Sequence, residues 1–149
     1  MTQIPRTALW LGVAGLVPFV WGTVTLMSES AAGFGVAQFG PRYIGPYVQI
    51  FYGTVILSFM SGVLWGFAAK ADEPVASLGY VLSVVPAIWA FFFVGGGPTS
   101  AIIYLIAGFL GLLGIDWLFW SRGLAPRWWL PLRAGLTGVV VLSLALSLL

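Results

Sequence analysis

The sequence predicts an all-α integral membrane bundle of five transmembrane helices. Three observations carry that prediction. Of 149 residues, 60% are hydrophobic and only 7% are charged. Five apolar stretches reach the roughly 20 residues needed to cross hydrocarbon. All but one of the six basic residues gather at one end of those stretches. A soluble domain of this size leaves too much surface in water to conceal such a composition, since the average soluble domain carries roughly 25% charged residues. Membrane lipid is therefore the first expected partner, and the mean hydropathy of +1.05 agrees.

A spanning segment must satisfy its backbone polar groups internally, so each apolar stretch reads as a helix. The first covers about residues 7–27, between Arg6 and the polar Ser28-Glu29-Ser30. Its apolar run exceeds the roughly 7–15 residues of a signal-peptide core, so it is expected to remain as a span, and no Arg- and Ser-rich presequence is expected ahead of it. The second covers about 46–69 and stops at Lys70. Asp72 stands where an N-cap belongs, two residues before Pro74, and opens a third helix over about 73–94 that Gly95-Gly96-Gly97-Pro98 ends. The fourth covers about 99–120 and the fifth about 131–149. The one long connection, 28–45, is rich in Gly and Ala and is expected to hold a short interfacial turn of helix. Pro18 and Pro86 lack an amide donor in mid-span and predict kinks.

Charge sets the expected orientation. Arg6, Lys70, Arg122 and Arg127 share one side of a five-span chain, with Arg133 just inside the fifth helix, whereas the other side has only Arg42. Lys and Arg are retained in the cytoplasm, so the N-terminus is expected inside and the C-terminus outside, in a bacterial cytoplasmic (inner) membrane. Trp10, Trp65, Trp117, Trp120, Trp128 and Trp129 fall near the cytoplasmic interface, where an indole keeps its N–H wet and its body in lipid; Tyr43, Tyr47 and Tyr52 mark the opposite one.

Composition excludes much chemistry. A formal charge of +2 from scattered residues gives no phosphate-tracking patch, so nucleic acid is not an expected partner. The absence of Cys and His removes disulfides, thiolate chemistry, the usual haem ligands and most zinc sites. Only four carboxylates exist, too few for a carboxylate-bridged metal centre. The Ser and Thr residues in the spans have no base to activate them. No catalytic residue, metal or cofactor is expected, and the chain reads as a non-enzyme.

Three groups of residues stand out. Thr54, Ser58, Gly62 and Gly66 recur every four residues on the second helix, and Ala107, Gly108, Gly111 and Gly114 form a second small face on the fourth. Small residues let helices approach in lipid, so both faces are expected to pack within the bundle, with a homodimer seam as the alternative. Asp116 is the only acidic residue inside a span. Arg133 at matched depth and Arg122 in the following loop make it a structural ion pair, aided by Trp117 and Trp120; proton or cation handling is the alternative. Ligand contacts fall on Arg42, with Gln38 and Gln49 beside it, and on Trp21, Trp89 and Tyr104, which would line a cavity framed by the two proline kinks.

Pro5-Arg6, Trp10-Leu11-Gly12 and Leu16-Val17-Pro18-Phe19, then Tyr52-Gly53, Ile56-Leu57-Ser58-Phe59 and Gly62-Val63-Leu64-Trp65-Gly66, resemble the family of small bacterial membrane proteins related to transmembrane protein 69 of mitochondria. So do Asp116, Gly123-Leu124-Ala125-Pro126-Arg127-Trp128-Trp129, Leu132-Arg133 and Leu136-Thr137, so the likeness covers nearly the whole chain. The resemblance implies a multi-span inner-membrane protein and places Asp116 and Arg133 in a family pattern, without a catalytic residue to carry over. The expected role is a non-enzymatic accessory or assembly protein with a membrane-protein partner or a second copy of itself. The alternative is a carrier or binding protein for a small apolar or anionic ligand.

Overall fold

A computed structural model describes residues 3–149. Five helical stretches are long and apolar enough to cross a membrane: Arg6–Met27, Gly45–Ala68, Val75–Phe93, Pro98–Ser121 and Trp129–Leu146. Each begins and ends close to the limits that hydropathy and turn residues set. Many large apolar side chains point outward, with Phe91 81% and Leu11 69% exposed, as expected where lipid rather than water covers the bundle.

Two spans are broken, each just before a proline. The first divides into α1 (Arg6–Ala14) and α2 (Val17–Met27). Pro18 has no amide to donate, and its ring crowds the carbonyl four residues earlier, at Ala14. The chain responds with a tightened turn in which the Leu16 amide bonds the Val13 carbonyl at 3.0 Å. The third divides likewise into α5 (Val75–Ser83) and α6 (Val85–Phe93) around Pro86.

Between α2 and α4 (Gly45–Ala68) the connection carries more than the expected turn: an 11-residue helix, α3 (Glu29–Phe39), and a 3₁₀ turn at Pro41–Tyr43. Ser28 caps α3, its hydroxyl accepting the Ala31 amide at 3.2 Å. The expected cap at Asp72 is replaced. Pro74 occupies the N-cap of α5, and the Glu73 carboxylate accepts both the Ser77 hydroxyl at 2.6 Å and the Ser77 amide at 3.3 Å.

The second span is the hub. Its helix α4 packs against α2, α5, α6 and α7 (Pro98–Ser121), and α7 pairs with α8 (Trp129–Leu146) as a hairpin. Gly53, Leu57, Met60, Leu64 and Ala68 are buried at helical spacing on α4, and Leu105, Phe109, Leu112, Asp116 and Phe119 on α7. Phe19 joins this core from α2, edge-on to Phe109 at 5.7 Å between ring centres.

The close approaches use other glycines than the two expected rows supply. A Cβ at Gly22 would lie 2.5 Å from Gln49 Cγ, and one at Gly79 2.8 Å from Ala68 Cβ. By contrast Ser58, Gly62, Gly66, Ala107, Gly111 and Gly114 lie on the outside, and a Cβ at any of these four glycines would meet nothing within 4 Å. The hydroxyls of Thr54 and Ser58 donate back to the carbonyls of Ile50 and Thr54, at 2.8 and 3.0 Å, so they tie no second helix. From the two rows only Gly108 is buried in a tight seat, where a Cβ would stand 2.8 Å from Trp89 Cδ1. The expected intramolecular role of the rows is thus corrected.

Candidate functional site

Asp116 is fully buried on the inner face of α7, one turn and a half from the helix end. Its Oδ2 accepts the Arg133 Nε–H at 2.8 Å, and its Oδ1 accepts the Trp129 Nε1–H at 2.7 Å. Trp129 and Arg133 stand four residues apart, so one face of α8 presents both donors to a single carboxylate. The carboxylate is held on both oxygens across the α7–α8 hairpin.

Three expected members are elsewhere. Arg122 follows the last residue of α7 and is exposed in the turn, so it takes no part in the pair. Trp117 and Trp120 face outward, 56% and 39% exposed, and the Trp120 Nε1–H donates to the Arg127 carbonyl at 3.1 Å. A neighbour in sequence sits about 100° round a helix, which sends Trp117 away from the face that buries Asp116. Trp129, expected as an interfacial anchor, is instead 91% buried, its exposure being only 9%. Its i, i+4 spacing to Arg133 was the available signal.

Beside this pair lies a cleft of about 530 Å³, lined by α1 and α2, by α4 and by α8, with Phe109 of α7 at its floor. The broken first span forms one of its walls. None of the residues of α1 is buried, and this half-helix lies along α8. Gly12 makes the close approach, since a Cβ there would be 2.9 Å from Leu136 Cδ1. α1 packs on α8 rather than on α4, and the cleft lies between α1 and α4. Leu11, Val55 and Phe59 form an exposed rim, while Phe19, Met60 and Val140 are buried at the base. From Trp128 to Val140 the cleft follows α8 for about 18 Å, at about 1.5 Å per residue.

The cleft is almost wholly apolar. Its polar lining comes from Tyr52, whose ring packs edge-on against Phe19 at 5.4 Å, and from Trp128, Trp129, Arg133 and Thr137. Arg133 is 6% and Thr137 2% exposed. Both line the cleft, and Arg133 Nη2 and Thr137 Oγ1 are buried without a hydrogen-bond partner among the described residues.

The expected ligand residues do not converge. The Trp89 indole donates to the Tyr104 carbonyl at 2.7 Å, stacks on Phe93 at 4.4 Å and fills the notch at Gly108, so this pair is packed against the α6–α7 contact. The Trp21 indole donates to the Tyr43 carbonyl at 2.8 Å, which pins the loop to α2; the ring also borders a shallow apolar depression with Val17, Val20 and Val24. Arg42 lies over the Phe51 ring at 4.3 Å. Gln49, expected beside Arg42, is fully buried instead. Its Nε2 donates to the Phe19 carbonyl at 2.8 Å and to Thr23 Oγ1 at 3.0 Å, and Thr23 Oγ1 donates to the Ser143 carbonyl at 2.9 Å, joining three spans. Only Pro18 of the two kinks frames the cleft.

No cluster of three or more metal-ligating His, Cys, Asp or Glu side chains occurs among the described residues. The sequence profile of the family described as Protein of unknown function (DUF3429) matches residues 4–149. Transmembrane protein 69 of Xenopus tropicalis is 36% identical over all of this chain, which covers 56% of that relative. Transmembrane protein 69 of Mus musculus is 29% identical over 97% of this chain, again covering 56% of the relative. The chain therefore spans about half the length of the curated relatives it matches. No solved structure matches it. With five apolar spans and a profile match along nearly its whole length, the chain is a multi-pass membrane protein that belongs to the DUF3429 family, to which no function is assigned.

Proposed function

We propose that this protein is a non-enzymatic membrane protein that holds a lipophilic molecule in the cleft between its first, second and fifth spans. One observation carries the reading: about 530 Å³ of apolar cleft lies at membrane depth beside a buried ion pair, with its exposed rim on the surface that lipid would cover. Ligand cavities of roughly 300–1,000 Å³ lined by apolar side chains with a few polar groups are the usual form of small-molecule sites. The buried hydroxyls and carboxylate are taken up by structural hydrogen bonds or stand without a base, which favours binding over turnover.

A second reading rests on a different feature. The outward Gly62, Gly66, Gly111 and Gly114 leave two helix faces on which another membrane helix could lie closely, which suits an accessory or assembly protein or a homodimer. Under both readings we place the protein in a bacterial cytoplasmic membrane with its N-terminus inside, on the strength of the basic residues at the Arg6 and Lys70 end.

Native mass spectrometry of the full chain, released from nanodiscs made with native lipid extract, tests the leading reading. The wild type is expected to retain one lipophilic adduct of defined mass, and Ile56→Trp, which fills the cleft from α4, to lose it. Wild type and variant both emerging bare, while a known lipid-binding control keeps its adduct, would contradict the reading.

A further inference from the structure

We propose that the cleft recognises its occupant by a neutral carbonyl oxygen, gripped by Arg133 Nη2 and Thr137 Oγ1, with the apolar remainder of the molecule lying along Met60, Val140 and Phe19. This rests on the cleft reading above and adds the chemistry of the head that the cleft selects.

Two buried polar atoms on one helix face carry the inference. Arg133 and Thr137 are one turn apart on α8 and both line the cleft. Their exposures are 6% and 2%, and neither Nη2 nor Oγ1 has a hydrogen-bond partner among the described residues. Buried polar groups are nearly always paired, and these two belong to residues that line the cleft, whereas the third such atom, Gln49 Oε1, lies away from it; a shift of the two side chains toward an occupant would pair them. A guanidinium nitrogen can only donate, and a hydroxyl can donate as well. The shared complement of the two is therefore an acceptor. A carbonyl oxygen, with two lone pairs, can take one hydrogen from each.

Charge then narrows the class. The guanidinium already has its counter-ion, since Arg133 Nε lies 2.8 Å from Asp116 Oδ2. Among the described residues Arg133 is the one cation that lines the cleft, so an anionic head would enter an apolar site that is already neutral as a whole. An uncompensated charge in such a medium is strongly disfavoured, whereas a dipolar oxygen is not. A molecule without oxygen leaves both donors unpaired. The selected class is a long apolar molecule ending in a ketone, ester or quinone-type carbonyl. Glycerolipid esters and isoprenoid quinones share this chemistry.

Trp128 and Trp129 line the same cleft and supply the readout. The full chain in nanodiscs of ether-linked lipid is titrated with three brominated C18 probes: a methyl ester, the free carboxylate and the plain alkane. Bromine quenches indole fluorescence on contact. The ester is expected to quench saturably and to bind about tenfold more tightly than either other probe. Thr137→Val removes the hydroxyl but keeps the shape and the ion pair, and is expected to weaken ester binding about fivefold while leaving the alkane unchanged.

Equal affinities for ester and alkane, with Thr137→Val indistinguishable from wild type, would overturn the carbonyl assignment and leave the cleft reading standing. Tighter binding of the carboxylate would overturn it too. Absence of saturable quenching by any probe would remove both readings. Repeating the ester titration in ester-linked lipid separates the sources: a fall in affinity marks the bilayer's own ester as the resident carbonyl, and unchanged affinity with competition by decylubiquinone marks a quinone-type ring.

Discussion

Arg133 reaches Asp116 through its Nε, 2.8 Å from Oδ2, and so joins the fourth and fifth spans while its Nη2 stays free of any protein acceptor among the described residues. The same side chain thus belongs to a structural pair and to the lining of the cleft. Its two roles are separable by mutation.

Removing one partner of the pair leaves an uncompensated buried charge. Asp116→Ala is expected to destabilise the chain by about 3–5 kcal/mol. Asp116→Ala combined with Arg133→Met restores apolar packing, and is expected to be less destabilised than Asp116→Ala alone. Denaturant unfolding in detergent, followed by far-UV circular dichroism, checks the order; a double variant weaker than the single would contradict it.

The glycine environments predict opposite outcomes at superficially similar positions. Gly108→Val drives a branched side chain into Trp89 and Leu57, where even a Cβ would stand at 2.8 and 3.0 Å, and is expected to cost about 1–3 kcal/mol. Gly62→Ala and Gly111→Ala meet open space and are expected to leave the unfolding midpoint of the monomer unchanged or slightly raised. If Gly62→Ala instead abolishes a cross-linked dimer or a co-purifying partner, the assembly reading gains its support.

Gln49 ties α4 to α2, and Thr23 ties α2 to α8, in one buried network. Gln49→Leu leaves the Phe19 carbonyl and Thr23 short of a donor, and is expected to cost about 1–3 kcal/mol. Thermal unfolding in detergent reads this loss directly. The cleft should survive, because Gln49 is not in its lining, so probe quenching by the brominated ester is expected to be unchanged.

Pro18 stands at the break between α1 and α2. Pro18→Ala restores the amide donor and relieves the clash with the Ala14 carbonyl, so the first span is expected to straighten and α1 to move toward α4. Spin labels placed at Leu11 and Phe59, on the cleft rim, should then report a shorter distance by double electron–electron resonance. Ester binding should fall with it.

The architecture was legible because spanning lengths, Gly-Pro stops and mid-span prolines are local signals. Pro18 and Pro86 foretold both helix breaks from the chemistry of one missing amide each. Side-chain partnerships were less legible. Asp116 and Arg133 could be matched by depth, but which Trp would join them depended on helical phase, and Trp129 shares the Arg133 face while Trp117 does not share that of Asp116. The row Thr54, Ser58, Gly62 and Gly66 has the spacing of a packing face, yet spacing fixes only that the residues are aligned. Which side of α4 turns inward was set by larger residues such as Leu57 and Leu64. The cleft was illegible for a related reason. It exists because α1 leans on α8 through Gly12, a tertiary choice with no signature in any one segment.

An experimental structure of the full chain in native-lipid nanodiscs tests the central claim most directly. The account predicts elongated density between Leu11, Phe19, Met60 and Val140, ending beside Arg133 Nη2 and Thr137 Oγ1. A first span lying straight against α4, with the cleft closed and side chains filling its place, would contradict it.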